Sequence, residues 1–188
     1  MTDQIAYDPE RWTSALDTYA RAEISRGDQI PMSNQSAFVV RRETQIAAPP
    51  ATVFAFLTDP QKIISWMGNE ARTEPQPGGL YLLKGIHGRV ARGAFREVVP
   101  VHRLAYSFGW EGDDDVPPGS SLIEIDLVDR DGGTLLRMTQ SGLPNEAQCA
   151  GHDKGWAHYL GRLTLAAAGR DPGADVRPAK AAGCDGAA

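Results

Sequence analysis

The stretch Ser121–Ala168, "SLIEIDLVDRDGGTLLRMTQSGLPNEAQCAGHDKGWAHYLGRLTLAAA", changes its period part-way along, and that change decides the fold. Ile123, Ile125 and Leu127 alternate with polar residues; after Asp131-Gly132-Gly133 the alternation resumes with Leu136, Met138 and Gln140. Period two belongs to a half-buried strand, and Asp-Gly between two such runs predicts a hairpin. From Asn145 the period becomes helical. Cys149, His152, Trp156, Leu160 and Leu163 fall on one face, which predicts a long amphipathic helix over 145–168.

Upstream of the hairpin, "AFVVRRETQIAA" (Ala37–Ala48) is a β-branched run that reads as a strand ending at Pro49. "PPATVFAFLTDPQKIISWM" then takes helical spacing through Val53, Phe54 and Leu57, breaks at Asp59-Pro60, and resumes with Ile63, Ile64 and Met67. Glycine pairs and Pro100 divide the next segment into strands at Leu80–His87, Arg89–Val99 and Arg103–Trp110, followed by the acidic loop "EGDDDVPPGS". The order is strand, two short helices, about six strands, one long helix. Helices segregated from bunched strands predict an α+β protein whose antiparallel sheet is covered on one side by the last helix.

The core pattern occupies residues 36–169. Before it, residues 1–35 read as an extension: Trp12, Ala15, Leu16, Tyr19 and Ile24 have approximate helical spacing, and "RGDQIPMSNQS" reads as a linker. Met32 offers an alternative start. After it, residues 170–188 are Pro, Gly and Ala with scattered charge and are expected to be disordered.

With 188 residues, 41% hydrophobic and 23% charged, the chain suits one domain with a full core. A net charge of −5 argues against a nucleic-acid partner, which needs a basic face. The local exception, Arg89, Arg92 and Arg96, reads as a solvated strand surface, with anion binding as the lesser alternative. Cys149 and Cys184 lack CxxC or metal-ligand spacing, so neither a metal, a cofactor nor a disulfide is expected, and a cytoplasmic location fits. No signal peptide and no membrane-spanning run is read.

The pieces "PPATVFAFLTDPQKIISWMG", "PQPGGLYLL", "GAFREVVPVHRLAYSFGW", "DGGTLLRMTQSGLP" and "AGHDKGWAHYLGRL", in that order, resemble the helix-grip (START and Bet v-like, SRPBCC) superfamily. Within it they are similar to the bacterial relatives of the activator of Hsp90 ATPase. The resemblance implies a curved antiparallel sheet wrapped around the long C-terminal helix, with a cavity between them. Strand alternation then nominates inward residues. Tyr81, Leu83, His87, Phe95, Tyr106, Phe108, Trp110, Met138 and Gln140 come from the sheet, and His152, Trp156 and Tyr159 from the helix. Leu104, Ile125, Leu136 and Leu163 read as core filling, whereas for Tyr81, Tyr106, Met138 and His152 core and pocket stay open. The resemblance places Trp66 at the cavity mouth, as a structural lid first and a ligand contact second.

Acid–base chemistry would fall to His87, His152 or Glu97. Gln140 stands where the family often has histidine, a departure that counts against a shared histidine mechanism. His102 and His158 read as surface residues, Ser141 as a turn residue and Cys149 as a packed hydrophobe. The preferred function is a binding module for a small hydrophobic or aromatic molecule. The alternatives are a cyclase- or hydrolase-like enzyme and, from the family name alone, a co-chaperone-like interaction domain. A homodimer is left open, because an open sheet edge and the leading helix could each pair.

Overall fold

The computed structural model describes residues 38–175. The expectations for residues 1–35, Met32 and the tail beyond 175 lie outside the described residues. Ten elements follow in order: β1 (Val40–Ile46), α1 (Pro50–Thr58), α2 (Pro60–Ile63), β2 (Glu70–Thr73), β3 (Leu80–Ile86), β4 (Arg89–Val99), β5 (Arg103–Phe108), β6 (Ser121–Arg130), β7 (Gly133–Ser141) and α3 (Glu146–Ala167). The strands form one curved, wholly antiparallel sheet in the order β1-β7-β6-β5-β4-β3-β2. This is the predicted α+β helix-grip arrangement. The four-residue β2, "EART", is an addition, because it carries no apolar alternation from which a strand could be read.

Local chemistry sets the boundaries. Pro50 opens α1 at its first position, where its missing N–H is no loss. Asp59 ends that helix and caps the next, its carboxylate accepting from the Gln61 N–H at 2.9 Å. The β6–β7 turn places Asp131 at φ 52° and Gly132 at φ 73°, the two positive φ values a two-residue hairpin needs. Helix α3 begins at Asn145, whose side chain accepts from the Gln148 N–H at 2.9 Å. It ends at Gly169, φ 72°, where the Gly169 and Arg170 N–H groups bond back to Ala166 and Leu165 carbonyls.

Alternate side chains of the sheet meet α1, α2 and α3 in one continuous core that includes Ile46, Val53, Ile63, Leu104, Ile125, Leu136 and Leu163. At the β1 edge, Arg42 forks onto the Asp153 carboxylate at 2.8 and 2.5 Å and pins α3 to the sheet. On the outer face, Arg103 holds Glu97, Glu124 and Asp126 together. No helix among the described residues is long and apolar enough to cross a membrane.

Candidate functional site

One face of the first half of α3 is built from Gln148, Gly151, His152, Gly155, Trp156 and Tyr159, spaced alternately by three and one. That spacing puts them in a single stripe. Opposite it stand Phe108 and Trp110 from the end of β5, and Ile86, His87 and Arg89 from the β3–β4 turn; Met67, just after α2, closes one side. Between them lies a cleft of about 230 Å³. It exists because the helix omits side chains there. A Cβ added at Gly151 would have no neighbour within 4 Å.

Behind the aromatic wall, one buried amide organises the polar atoms. Gln140 is wholly buried, and its Oε1 accepts from the Trp156 indole N–H at 2.7 Å and from His152 Nδ1 at 3.0 Å. Its Nε2 donates to Ser121 Oγ at 3.1 Å, and that hydroxyl donates to the Phe108 carbonyl at 3.0 Å. A carbonyl oxygen can only accept and an indole N–H can only donate. His152 therefore carries a proton on Nδ1 toward Gln140, while its Nε2 accepts from the Trp110 indole N–H at 3.3 Å. Both cleft indoles and the imidazole thus direct their N–H groups to protein acceptors and present carbon surface to the cleft.

The rim is charged. Arg89 lies over the Trp110 indole, 4.2 Å from the ring centroid, and pairs with Asp113. Asp113 Oδ1 also accepts from the Val116 and Asp115 N–H groups at 2.8 and 3.0 Å. The Val116 bond, followed by the Arg89 and Asp115 bonds, outweighs burial and holds this carboxyl below the usual carboxylate range. The same acidic loop reaches α3 through Asp115, which accepts from Gln148 Nε2 at 2.9 Å, and β4 through Glu111, which accepts from Arg92 at 2.5 Å.

Across the cleft the Tyr159 hydroxyl donates to Asp175 at 2.9 Å and lies 3.2 Å from His87 Nε2. Burial pushes the Asp175 carboxyl up, but bonds from His158 and Tyr159 and the nearby Arg162 charge leave it below its ordinary value. Arg162 clasps the segment after α3 by donating to the carbonyls of Pro172, Gly173 and Ala174, and also to that of Trp66 at 2.9 Å. Residues 170–175, expected to be disordered, are instead tied down, because one guanidinium satisfies carbonyls on two sides at once.

The model of the activator of Hsp90 ATPase homolog 1-like (AHSA1) family matches residues 47–168. The chain belongs to that family. An AHSA1-like protein from Rhizobium etli, solved in solution, is 68% identical over 76% of this chain and 89% of its own, with a TM-score of 0.62. CalU16 from Micromonospora echinospora is 28% identical over 73% of this chain and 70% of its own, with a TM-score of 0.61. The Aha1 dimer from Colwellia psychrerythraea shares the fold, at 17% identity over 68% of this chain and 94% of its own, with a TM-score of 0.60. No curated protein matches.

In this AHSA1-like domain the nominated lining residues divide. His87, Phe108, Trp110, His152, Trp156 and Tyr159 do border the cleft. Tyr81, Leu83, Phe95, Tyr106 and Met138 are at most 3% exposed and belong to the filled core. Tyr81 stacks on Tyr106 at 4.3 Å between centroids, with Phe95 edge-on to Tyr81 at 5.9 Å, so the space one ring would leave is taken by the next. Burial pushes the Tyr81 hydroxyl up to about 12, although its bond with Tyr106 opposes this, and pushes Tyr106 well above its ordinary value. Trp66 is a core residue as well. It is 1% exposed, and its N–H donates to the Phe56 carbonyl at 2.9 Å. Gln140 sits behind the wall as its anchor. Glu97 is exposed on the outer face, ion-paired with Arg103, and does not border the cleft.

Sequence pattern did not nominate Met67, Ile86, Gln148, Gly151 and Gly155 for the cleft, and it read Arg89 mainly as strand surface. A signal for the glycines was present: two of them four apart inside a long helix cost about 1 kcal/mol each against alanine, which asks for a compensating role.

Proposed function

We propose that this AHSA1-like domain is a binding module for a small apolar or aromatic molecule held in the cleft between α3 and the β3–β5 end of the sheet. The observation that carries this reading is the omission of side chains at Gly151 and Gly155 opposite a wall of Phe108, Trp110 and Trp156. A volume of about 230 Å³ falls below the usual range of drug-sized sites, which points to a compound of one or two rings. Native mass spectrometry of freshly purified protein tests it. A retained small molecule that disappears in Gly151→Leu supports the reading; an empty protein that gains no thermal stability from a panel of one- and two-ring compounds sinks it.

One observation favours an enzymatic reading as second choice. Gln140 fixes the tautomer of His152, as a general base requires. The Trp110 N–H occupies the other imidazole nitrogen, which gives this reading less weight. A turnover that titrates with His152 and is lost in His152→Asn would establish it. The dimer named for the Colwellia relative suggests a homodimer here also, through the open edges at β1 or β2, and sedimentation analysis would decide it. A reducing cytoplasmic setting suits Cys149, a free thiol.

A further inference from the structure

We infer that the occupant of the cleft is a planar aromatic anion, its rings against Phe108, His152 and Trp156 and its anionic group at the rim on the Arg89 guanidinium; this rests on the binding reading above. The inner wall asks for no polar partner, because the Trp110 and Trp156 indole N–H groups and the His152 Nδ1–H are already accepted by protein atoms. A ligand inserting there loses nothing by being a bare ring system. The rim is different. Among the described residues that line the cleft, Arg89 is the one permanently charged side chain.

Its partner does not neutralise it for a ligand. Asp113 divides its acceptor capacity among Arg89 and two backbone N–H groups, whereas a guanidinium has five N–H donors and the pair engages Arg89 through Nη2 alone. Further donors remain for a second oxyanion. The other carboxylates near the rim are each answered by the protein: Asp115 by Gln148 Nε2, Glu111 by Arg92, and Asp175 by Tyr159, His158 and Arg162. The Arg89 side chain is 41% exposed, so an anion can reach it while staying partly hydrated, without the cost of a fully buried pair.

The test compares two probes of nearly equal shape, 2-naphthoate and 2-naphthalenemethanol, on the full chain at neutral pH, by calorimetry and tryptophan fluorescence. Naphthoate is expected to bind about tenfold more tightly, the scale of a charge-assisted hydrogen bond at a half-exposed site. Arg89→Gln should bring the ratio of the two affinities to about one, whatever it does to naphthalenemethanol itself; Arg89→Lys should keep most of the preference, and added salt should lower that ratio in the unaltered protein. Equal affinity of the two probes for the unaltered protein, or a preference that survives Arg89→Gln, overturns the inference and leaves the binding module standing. Binding of neither probe, or equal binding by Gly151→Leu, overturns both.

Discussion

Two aromatic groups on the same face of the same sheet meet different fates. Tyr81, Phe95 and Tyr106 are sealed in the core, and Phe108 and Trp110, one step further along β5, border an open cleft. Their composition does not separate them. Both groups touch one continuous core cluster; what differs is that Phe108 and Trp110 also face the cleft across from Gly151 and Gly155 of α3, which carry no side chain to fill it. A pocket in this fold is therefore made by volume withheld from the helix and not by residue type on the sheet.

The sharpest way to break that contrast is truncation. Phe95→Ala should cost about 4 kcal/mol, because its cavity has no route to solvent, and Phe108→Ala nearer 2 kcal/mol, because its void opens into the cleft and admits water. Urea unfolding measures both, and equal costs would mean that the two regions are packed alike. Next in size, Gln140→Leu should cost about 2 to 3 kcal/mol by stranding the Trp156 and His152 N–H groups, with a change in near-ultraviolet dichroism from the tryptophans. An effect below about 0.5 kcal/mol would show that the network is not needed to hold the open wall.

A gain is expected at Gly151. Gly151→Ala should stabilise the domain by roughly 0.5 to 1 kcal/mol, since the new methyl meets no neighbour and the helix loses a flexible residue. A loss of stability there would mean that the cleft is narrower than the structure has it. The smallest effect is spectroscopic. Tyr81 and Tyr106 have folded-state values above their unfolded ones, so their contribution to stability is complete below pH 10 and declines as pH climbs toward 12. In an absorbance titration at pH 11 Tyr81 and Tyr106 should stay largely un-ionised until the protein unfolds. Early ionisation would assign them to an accessible pocket after all.

Much of this architecture was legible. The alternation at Ile123–Leu127 and Leu136–Gln140, the Asp131-Gly132 turn and the helical stripe from Cys149 each answer to a local rule, and the structure follows them. Inward direction was legible too, since Tyr106 and Phe108 both point to the core side. Depth was not. Whether an inward ring is sealed or bordered by space depends on what lies opposite, across the fold, and strand periodicity carries no such information. Arg89 was read mainly as strand surface, and its place at the cleft was not legible for a related reason: its partners Asp113 and Trp110 stand more than twenty residues away. The strap at 170–175 is held by Arg162 through backbone carbonyls, which leave no trace in side-chain pattern.

The pairing of β1 with β7 has a consequence for biosynthesis. Glu43 meets Arg137 across 94 residues, so β1 leaves the ribosome long before its neighbour exists. At typical elongation rates of about 5 to 20 residues per second, it waits on the order of 5 to 20 seconds without its partner. Arg41, Glu43 and Gln45 on its exposed phase suit a strand that must stay dissolved in the meantime. Protease digestion of ribosome-arrested chains should find β1 cleavable until β7 has emerged and protected afterwards; protection at shorter lengths would mean that β1 is sheltered by something other than its final partner.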